Sequence, residues 1–290
     1  MTARNPILVP TPLTRSAVIA NVPQRPRNSH KGLFGKVVVL GGADGMIGAA
    51  LLAARAALKM GAGSVHIGLL AENATKVDFL QPEIMLHSAT AALKLREVNV
   101  LAVGCGMGAD TTAQKLLRAA LDSNAALVLD ADALNILAQR PKLCTQLSAR
   151  IAPCVLTPHP GEAARLLACS TKEIQADRVG AVQKIAQALN CSVVLKGADS
   201  VCATRDGHLF LNTTGNPGMS SAGMGDVLTG MIAGFIAQGM TGEHAMLLAV
   251  HLHGAAGDAL AAQLAGIGMT ATEVIEQARL LLNQWMKTAY

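Results

Sequence analysis

One segment of the chain combines a glycine-rich loop, an apolar stretch and a single carboxylate. It reads Asn-Pro-Gly-Met-Ser-Ser-Ala-Gly-Met-Gly-Asp over residues 216–226. The apolar residues that follow recur at the spacing of one helical face, at Val227, Leu228, Met231, Ile232 and Phe235. This spacing predicts a helix with Asp226 in its first turn. Free backbone N–H groups and the helix dipole attract an anion to such a start, so the segment predicts a phosphate site beside a potential base.

The same loop also has a purely structural interpretation. Asp226 can cap the helix, and the glycines at 218, 223 and 225 can simply turn the chain, since glycine adopts positive φ without strain. For an isolated Gly-x-Gly-Asp sequence this interpretation is the better one. The length of the segment and the motifs elsewhere in the chain favour the phosphate site here.

The elements that must position this loop can be predicted from residue 36 onward. Short runs of β-branched residues alternate there with longer stretches of helical pattern. Alternation at this spacing predicts an α/β fold with a mostly parallel sheet covered by helices on both faces. A hairpin turn at Asp206-Gly207 adds an antiparallel part, and the chain after Gly223 is nearly all helical. The predicted strands are 37–40, 64–69, 98–103, 126–129, 155–156, 192–195, 201–204 and 208–211, and the first long helix is 47–60.

Glycine-rich or polar segments follow several of these strands. They span residues 41–48, 104–108, 130–135, 157–162 and 196–200. Ligands of open α/β sheets bind beyond the carboxyl ends of the strands, so we expect these segments to meet at one site. Each of these segments taken alone is a weak indication of a ligand site. Segment 41–48 lacks the spacing and the downstream acid of a dinucleotide-binding fingerprint, and segment 104–108 is equally well explained as a turn.

The histidines near these segments have competing interpretations. His159 lies between two prolines, which favour an extended backbone that holds its ring at the sheet edge. A lone histidine is nevertheless more often structural than functional. His251 and His253 resemble a metal-binding pair, but residues two apart on a helix point in different directions, so we do not predict a metal there.

Composition narrows the class of protein. The 290 residues are 51% hydrophobic but only 2% aromatic, which predicts a core of aliphatic side chains in one large domain. The net charge of +5 suits an anionic small molecule, and without aromatic stacking positions nucleic acid is a weaker choice. Charged residues such as Arg55 and Lys59 interrupt the apolar runs, so we predict no membrane association. Six cysteines without a C-x-x-C pair fit reduced thiols better than zinc or disulfides.

The first 43 residues contain no acidic residue, which raises the question of an organellar transit peptide. Their five prolines and the lack of a clean amphipathic helix argue against one, and no apolar core of a secretory signal is present. We therefore expect a cytoplasmic protein.

Taken in order, these motifs resemble those of the NAD(P)H-hydrate dehydratases of the ribokinase-like superfamily, over roughly residues 28–285. Gly-x-Gly-Asp alone is shared with sugar, thiazole and pyrimidine kinases, whereas the Thr-Pro-His-Pro-Gly-Glu and Lys-Gly-Ala-Asp motifs are more specific. Met224 stands where a small residue is common, which matters little because the backbone makes the contacts. The matching motifs are Ser29-His-Lys-Gly32 with Gly35, Gly41-Gly-Ala43, Gly48-Ala-Ala, Asp130-Ala-Asp132-Ala-Leu-Asn135, Thr157-Pro-His159-Pro-Gly-Glu162, Leu195-Lys-Gly-Ala-Asp-Ser200 and Gly223-Met-Gly-Asp226-Val-Leu-Thr-Gly230.

The resemblance implies a ribokinase-like three-layer α/β/α sandwich with a mostly parallel central sheet. Residues 31–290 would form a single domain, and residues 1–30 an extension packed on it. The implied reaction returns the hydrated cofactors NADHX and NADPHX to NADH and NADPH, with ADP or ATP as phosphoryl donor and Mg²⁺ as cofactor. We expect ADP, which gives AMP and phosphate, because the family's stand-alone members use it and no convincing transit peptide is present.

The resemblance also implies roles for individual residues. Asp226 matches the base that takes the proton from the ring hydroxyl, and it also contacts the hydrated dinucleotide. The amides of Gly223, Met224 and Gly225 would hold the transferring phosphoryl group. The dinucleotide would further contact Ala43, Gly106 and His159. The nucleotide would contact Gly225 and the loop Lys196, Gly197, Ala198, Asp199 and Ser200.

Several points remain open at this stage. About 30 residues precede the core, too few for the epimerase domain of many family members, so we expect action on the S form and reliance on a separate epimerase. Family members are often tetrameric, and we expect a homo-oligomer. The metal ligands and the choices between ADP and ATP and between NADHX and NADPHX stay undecided. Two alternatives remain, namely a vitamin-precursor or sugar kinase of the same fold and a nucleotide sensor without turnover.

Overall fold

The computed structural model describes residues 9–264 and 266–288, which form one ten-stranded sheet and twelve α-helices. The strands are β1 (Thr11–Pro12), β2 (Lys36–Gly41), β3 (Ser64–Leu69), β4 (Met85–Ser88), β5 (Val100–Val103), β6 (Ala126–Leu129), β7 (Cys154–Leu156), β8 (Ser192–Leu195), β9 (Ser200–Ala203) and β10 (Leu209–Asn212). The helices are α1 (Arg15–Ile19), α2 (Ile47–Lys59), α3 (Ala89–Ala92), α4 (Thr111–Asp122), α5 (Asp132–Gln139), α6 (Pro141–Ser148), α7 (Pro160–Leu166), α8 (Thr171–Ala176), α9 (Arg178–Leu189), α10 (Met224–Ala237), α11 (Gly242–Leu264) and α12 (Ala271–Thr288).

The sheet is mostly parallel, as the alternating pattern predicts. Its strand order is β1-β10-β9-β8-β7-β6-β5-β2-β3-β4. Strand β9 pairs antiparallel with both β8 and β10, and the other recorded pairs are parallel. The predicted hairpin is therefore the place where the sheet departs from parallel order. The carboxyl ends of β2, β5, β6, β7 and β8 lie side by side, which confirms that the segments after them share one edge.

Helices cover both faces of the sheet, which confirms the predicted three-layer α/β/α sandwich. Side chains of a strand alternate between faces, and in β2 Val37 and Val39 join one hydrophobic cluster while Val38 and Leu40 join the other. The first cluster includes buried residues of α1, α2, α10, α11 and α12. The second includes those of α3 to α9. Both are built almost wholly from aliphatic side chains, as the composition predicts.

Small residues bring α10 close to α2. A Cβ atom on Gly230 would lie 2.0 Å from the carbonyl oxygen of Ala53, and one on Gly234 would lie 2.8 Å from that of Ala57. Helices without side chains at the crossing approach one another closely, which fixes the direction of α10 along the sheet. Its first turn is thereby held at the carboxyl edge of the strands.

Two parts of the fold lie outside the strands and helices predicted from the sequence. Strand β1 pairs with β10, and α1 adds Val18 to the first hydrophobic cluster while the Arg15 guanidinium lies over the Trp285 ring. Strand β4 extends the opposite edge by pairing with β3. Both strands are short and lie at the sheet edges, where a strand carries little apolar signal.

Helix α11 is apolar enough to merit comparison with a membrane span. Its stretch Gly242–Gln263 has a mean hydropathy of 1.3 and is long enough to cross a bilayer. Of that stretch, 67% is buried inside the fold. The length and composition of α11 are those of a core helix that packs on α10 and α12.

Candidate active site

A cavity of about 470 Å³ lies at the carboxyl edge of the sheet, in front of the first turn of α10. One wall is the loop of residues 196–200, another is the segment 212–220, and α11 contributes Val250, His253 and Gly254. Met224, Gly225 and Leu228 of α10 complete the lining. A second cleft of about 540 Å³ lies between α4 and α6 and contains none of the predicted site residues. The cavity before α10 is therefore the candidate active site.

The first turn of α10 has the geometry of an anion site. Gly223 precedes the helix with φ of 89°, and no side chain caps the free N–H groups that follow. Asp226 is the acidic residue of this turn, as the sequence predicts. The segment that leads into the helix is anchored on α11, because Asp258 accepts hydrogen bonds from the backbone N–H of Gly215 and from the Asn216 side chain.

Asp226 lies in an environment that makes its carboxylate more basic. Burial raises the pKa of Asp226 to about 6, the neighbouring Cys105 thiol lowers it, and the nearby Asp130 charge raises it. Lys196 lowers the pKa further and Asp132 raises it. A carboxyl group with a pKa just below neutrality is a suitable general base, since it is ionised at neutral pH yet accepts a proton readily.

Near Asp226 lies an ion pair between residues from two strand ends, in which the Asp130 carboxylate is buried and the Lys196 side chain is 21% exposed. The Lys196 ammonium donates to one Asp130 oxygen at 2.7 Å, and the Thr229 hydroxyl of α10 donates to the other at 2.9 Å. Burial alone would raise the pKa of Asp130, but Lys196 and the hydrogen bonds lower it below its ordinary value. Burial likewise lowers the pKa of Lys196, and Asp130 and Glu162 more than offset this. Both side chains therefore remain charged inside the protein.

The ion pair reaches the anion-binding turn. A Cβ atom on Gly225 would lie 3.1 Å from the Lys196 ammonium nitrogen and 3.4 Å from an Asp130 oxygen. Glycine at this position leaves the ammonium group in contact with the helix start. A phosphate held by the backbone N–H groups of α10 would thus have a fixed positive charge close by. The side chain of Lys196 contributes to the phosphate end of the cavity.

The rest of the 196–200 loop lines the cavity wall, as predicted for a nucleotide contact. Gly197 and Asp199 have φ of 134° and 53°, so the loop turns tightly after β8. The Arg178 guanidinium donates to the carbonyl oxygen of Leu195 at 3.1 Å and to that of Asp199 at 3.4 Å. This arginine holds the loop in shape from behind, and sequence reasoning gave no signal for it.

Two of the predicted dinucleotide contacts lie together. The backbone N–H of Ala43 donates to the carbonyl oxygen of Gly106 at 2.7 Å. Gly106 has φ of 59°, and a Cβ atom there would lie 2.7 Å from the carbonyl oxygen of Met46. The loops after β2 and β5 are thereby joined edge to edge, and only small residues fit at the junction.

His159 has a structural part in this edge. Its Nδ1 accepts from the backbone N–H of Gly161 at 2.9 Å and from that of Glu162 at 3.3 Å, while Glu162 accepts from the His159 backbone. This reciprocal cap starts α7. The His159 side chain is 50% exposed. Its partial burial and the charge of Lys196 lower the pKa of the ring. The other ring nitrogen, Nε2, lies 3.3 Å from a carboxylate oxygen of the buried Glu162 side chain.

Asp130, Cys105 and Thr229 belong to the site but were not predicted as site residues. Asp130 directly follows β6, and its position after a buried strand was the available signal. Cys105, Asp130 and Asp226 place one ligand atom each within 4.8 Å of one another. Burial and the two carboxylates raise the pKa of the Cys105 thiol, and a neutral thiol is a poor ligand for Mg²⁺. Asp130 already binds Lys196 and Thr229, so this cluster is not suited to hold magnesium.

Comparison with known proteins adds an independent line of evidence. The sequence model of a family described as NAD(P)H-hydrate dehydratase matches residues 37–279. The ADP-dependent (S)-NAD(P)H-hydrate dehydratase of Neisseria meningitidis is 41% identical over 272 residues, 91% of this chain and 90% of that protein. The bifunctional NAD(P)H-hydrate repair enzyme of Moorella thermoacetica is 41% identical over 279 residues, 91% of this chain and 52% of that protein. The chain thus spans about half the length of such bifunctional relatives.

Solved structures agree with the sequence comparison. The ADP/ATP-dependent NAD(P)H-hydrate dehydratase of Bacillus subtilis, co-crystallised with ATP and Mg²⁺, has a TM-score of 0.85 at 32% identity and covers 96% of this chain and 99% of its own. A ribokinase-like superfamily protein of Enterococcus faecalis has a TM-score of 0.83 at 28% identity and covers 95% of this chain and 96% of its own. The similarity therefore includes both the sheet and the edge that carries the cavity.

Proposed function

Because the chain belongs to the NAD(P)H-hydrate dehydratase family, whose sequence model matches residues 37–279, we propose that it is a cofactor-repair lyase. It dehydrates the S form of NADHX or NADPHX to NADH or NADPH and converts ADP to AMP and phosphate. The observation that carries this proposal is Asp226, a carboxylate with a pKa of about 6 in the first turn of α10, where no side chain caps the helix. A base and an anion site are thus next to each other at the edge of a nucleotide-sized cavity.

The chemistry follows from the poor leaving ability of hydroxide. Asp226 takes the proton of the ring hydroxyl, whose oxygen bonds to the terminal phosphorus of ADP as the bond to the AMP oxygen breaks. The phosphorylated oxygen then leaves as phosphate when its bond to the ring carbon breaks. The lone pair of the ring nitrogen drives this loss and leaves an iminium ion, and the neighbouring ring carbon then loses a proton to water, which forms the C=C bond of the dihydropyridine. The backbone N–H groups of Gly223, Met224 and Gly225 bind the phosphoryl group during its transfer.

The nucleotide binds in the cavity, against the backbone of Lys196, Gly197, Ala198, Asp199, Ser200 and Gly225. The Lys196 ammonium neutralises phosphate charge at the end nearest α10. When bound, Mg²⁺ shields the phosphates from each other and from the base. Magnesium commonly keeps several waters and binds through phosphates, so it would be held mainly by the nucleotide, and we assign it no ligand in this chain. The relative that was crystallised with ATP and Mg²⁺ supports this pairing.

The hydrated dinucleotide contacts Asp226 and occupies the edge at Ala43, Gly106 and His159. The backbones of Ala43 and Gly106 are joined by a hydrogen bond at this edge, and the half-exposed His159 ring offers a neutral polar contact. We expect residues 31–290 to form the catalytic domain and residues 1–30 to pack on it as an extension, of which residues 1–8 lie outside the part of the chain that the structure describes. The R form of the substrate must first be epimerised to the S form, and relatives named bifunctional NAD(P)H-hydrate repair enzymes match this chain over about half of their own length. The protein acts in the cytoplasm as a homo-oligomer.

A small-molecule kinase of the same fold would use Asp226 in the same way, so the product distinguishes the two functions. We expect the purified chain with the S form of NADHX, ADP and Mg²⁺ to restore the absorbance of the reduced nicotinamide and to release AMP and phosphate in equal amounts. Asp226→Asn should bind ADP but lose turnover by about 10²- to 10⁴-fold. Asp122→Asn, at the exposed end of α4, is the matched control and should keep it. Phosphorylation of a vitamin or sugar hydroxyl without recovery of NADH would refute the proposal.

A further inference from the structure

The cleft of about 540 Å³ between α4 and α6, the α4–α6 cleft, takes no part in the proposed reaction. Four of its nine lining residues are cationic, and none of these nine is acidic. Lys115 and Arg118 lie three residues apart and so share one face of α4. Arg140 stands between α5 and α6, and Lys142 lies in the first turn of α6. Positive side chains therefore converge on this cleft from both of its walls.

This positive charge is not balanced by carboxylates. Within residues 9–264 and 266–288, no Asp or Glu side chain forms an ion pair with any of the four cations. The nearest carboxylates along α4 are engaged elsewhere, since Asp110 accepts from the backbone N–H of Ala113 at 2.8 Å and Asp122 accepts from the Gln146 side chain. Like charges around one concavity repel one another, and a bound anion would relieve that repulsion.

The guanidinium group of Arg140 is held against the opposite wall of the cleft. Its Nε donates to the side-chain oxygen of Gln114 at 3.1 Å, which joins the start of α6 to α4. A guanidinium has five N–H donors, and in the described part of the chain this is the single hydrogen bond recorded for the Arg140 side chain. Its two terminal nitrogens are therefore available for a bidentate contact with a phosphate group.

Apolar residues also line the cleft. Leu143 is only 4% exposed and belongs to the second hydrophobic cluster, and Pro141 begins α6 two residues before it. The aliphatic stems of lysine and arginine side chains add to such a surface, and a guanidinium group can stack on a flat ring. The cleft thus offers a surface for a ring together with several charges for phosphates.

We propose that the α4–α6 cleft is a second nucleotide site, which binds a base together with at least two adjacent phosphate groups. Its volume is similar to the 470 Å³ of the candidate active site. Inorganic pyrophosphate would leave the apolar residues uncovered, and a nucleoside monophosphate would meet fewer of the cations. A nucleoside diphosphate and a nicotinamide dinucleotide share the required chemistry, so both are probes in the test. The inference does not depend on the proposed function, because the cleft contains no residue of the catalytic edge.

The first measurement counts the bound nucleotides. Equilibrium dialysis of the full chain against ADP at low salt should find two ADP per chain. In the double variant Arg118→Gln, Lys142→Gln, one of the two should bind about ten-fold more weakly, because two exposed charges of the cleft are lost. The matched control is Lys172→Gln, Lys184→Gln, which removes the same charge from exposed positions of α8 and α9 and should keep both affinities.

The outcomes separate this inference from the proposed function. If the cleft variant bound ADP as the unmodified chain does, or if the control lost affinity equally, the inference would be overturned. If the unmodified chain bound a single ADP that the cleft variant alone lost, the inference would stand and the nucleotide site before α10 would be rejected.

The second measurement locates the ligand and tests its class in the unmodified chain. In protein labelled with nitrogen-15 in arginine, the Nε–H resonance of Arg140 is identified by its loss in Arg140→Gln. ADP should shift this resonance, whereas AMP and inorganic pyrophosphate should need about ten-fold higher concentrations. A shift at lower concentrations of NADH than of ADP would identify a dinucleotide as the occupant. If ADP and NADH left the resonance in place, or if inorganic pyrophosphate shifted it as readily as either of them, the cleft would not be a nucleotide site.

Discussion

The raised pKa of Asp226 predicts that its ionised carboxylate destabilises the folded protein. Its carboxyl group titrates at about 6 in the folded protein and at 3.8 in the reference state. The ionised form is therefore less favourable in the folded chain, and a difference of about two pH units corresponds to about 3 kcal/mol as an upper figure. This cost is fully present above pH 6, declines as the pH falls and is absent below 3.8. Asp226→Asn removes the charge at nearly constant shape.

We expect Asp226→Asn to unfold at higher urea concentration than the unmodified chain at about pH 8, with a gain of up to about 3 kcal/mol in the free energy of unfolding. At about pH 4 the two proteins should differ much less, since both side chains are then largely neutral. Asp122→Asn, an exposed site on α4, should show a small difference at both pH values. If Asp226→Asn did not raise the free energy of unfolding at high pH, or raised it equally at low pH, the assignment of a destabilised carboxylate would be refuted.

Three further predictions concern the surroundings of this group. Lys196→Met should lower the free energy of unfolding by about 3–5 kcal/mol, because it leaves Asp130 charged and buried. Urea titrations of the double variant with Asp130→Asn should show that much of this loss is recovered. If the losses of the two single variants simply added up, the pairing of Lys196 with Asp130 would be contradicted. Gly230→Ala should lower the free energy of unfolding by about 1–3 kcal/mol, because its new Cβ would lie 2.0 Å from the Ala53 carbonyl oxygen. Gly48→Ala, whose new Cβ would have no atom within 4 Å, should not destabilise the protein. Equal effects of the two variants would contradict the close crossing of α2 and α10. The kcat/KM for the hydrate should fall as the pH drops through about 6, the pKa of Asp226, and a profile flat down to about pH 4 would argue against this base.

Much of the fold could be predicted from the sequence because buried parallel strands are continuous β-branched runs. Strands β3, β6 and β8 have the predicted bounds, and α2 and β5 differ from prediction by at most two residues at one end. Strand β4 was missed because its residues are partly exposed and include polar side chains. Strand β1 is two residues long and is defined by its pairing with β10, which local sequence does not contain.

The site could be predicted only where its signal is local. Asp226 in the first turn of α10 follows from a loop, a helix period and a carboxylate, all within a few residues. The pairing of Lys196 with Asp130 joins residues 66 positions apart, and strand order alone brings them together. The position of Cys105, within 4.8 Å of Asp226, depends in addition on glycine conformations that a sequence permits but does not specify. The capping role of His159 was open at the sequence level, since a histidine before Pro-Gly-Glu suits either a cap or a ligand contact.

The central claim is that Asp226 starts phosphoryl transfer to the ring hydroxyl, so the oxygen of that hydroxyl must leave with phosphorus. The direct measurement uses NADHX whose ring hydroxyl carries oxygen-18, with ADP, Mg²⁺ and the chain. Mass spectrometry of the products should find the label in inorganic phosphate, one labelled oxygen for each NADH formed. Label released into water while NADH forms would show that the hydroxyl leaves without being phosphorylated and would contradict the account.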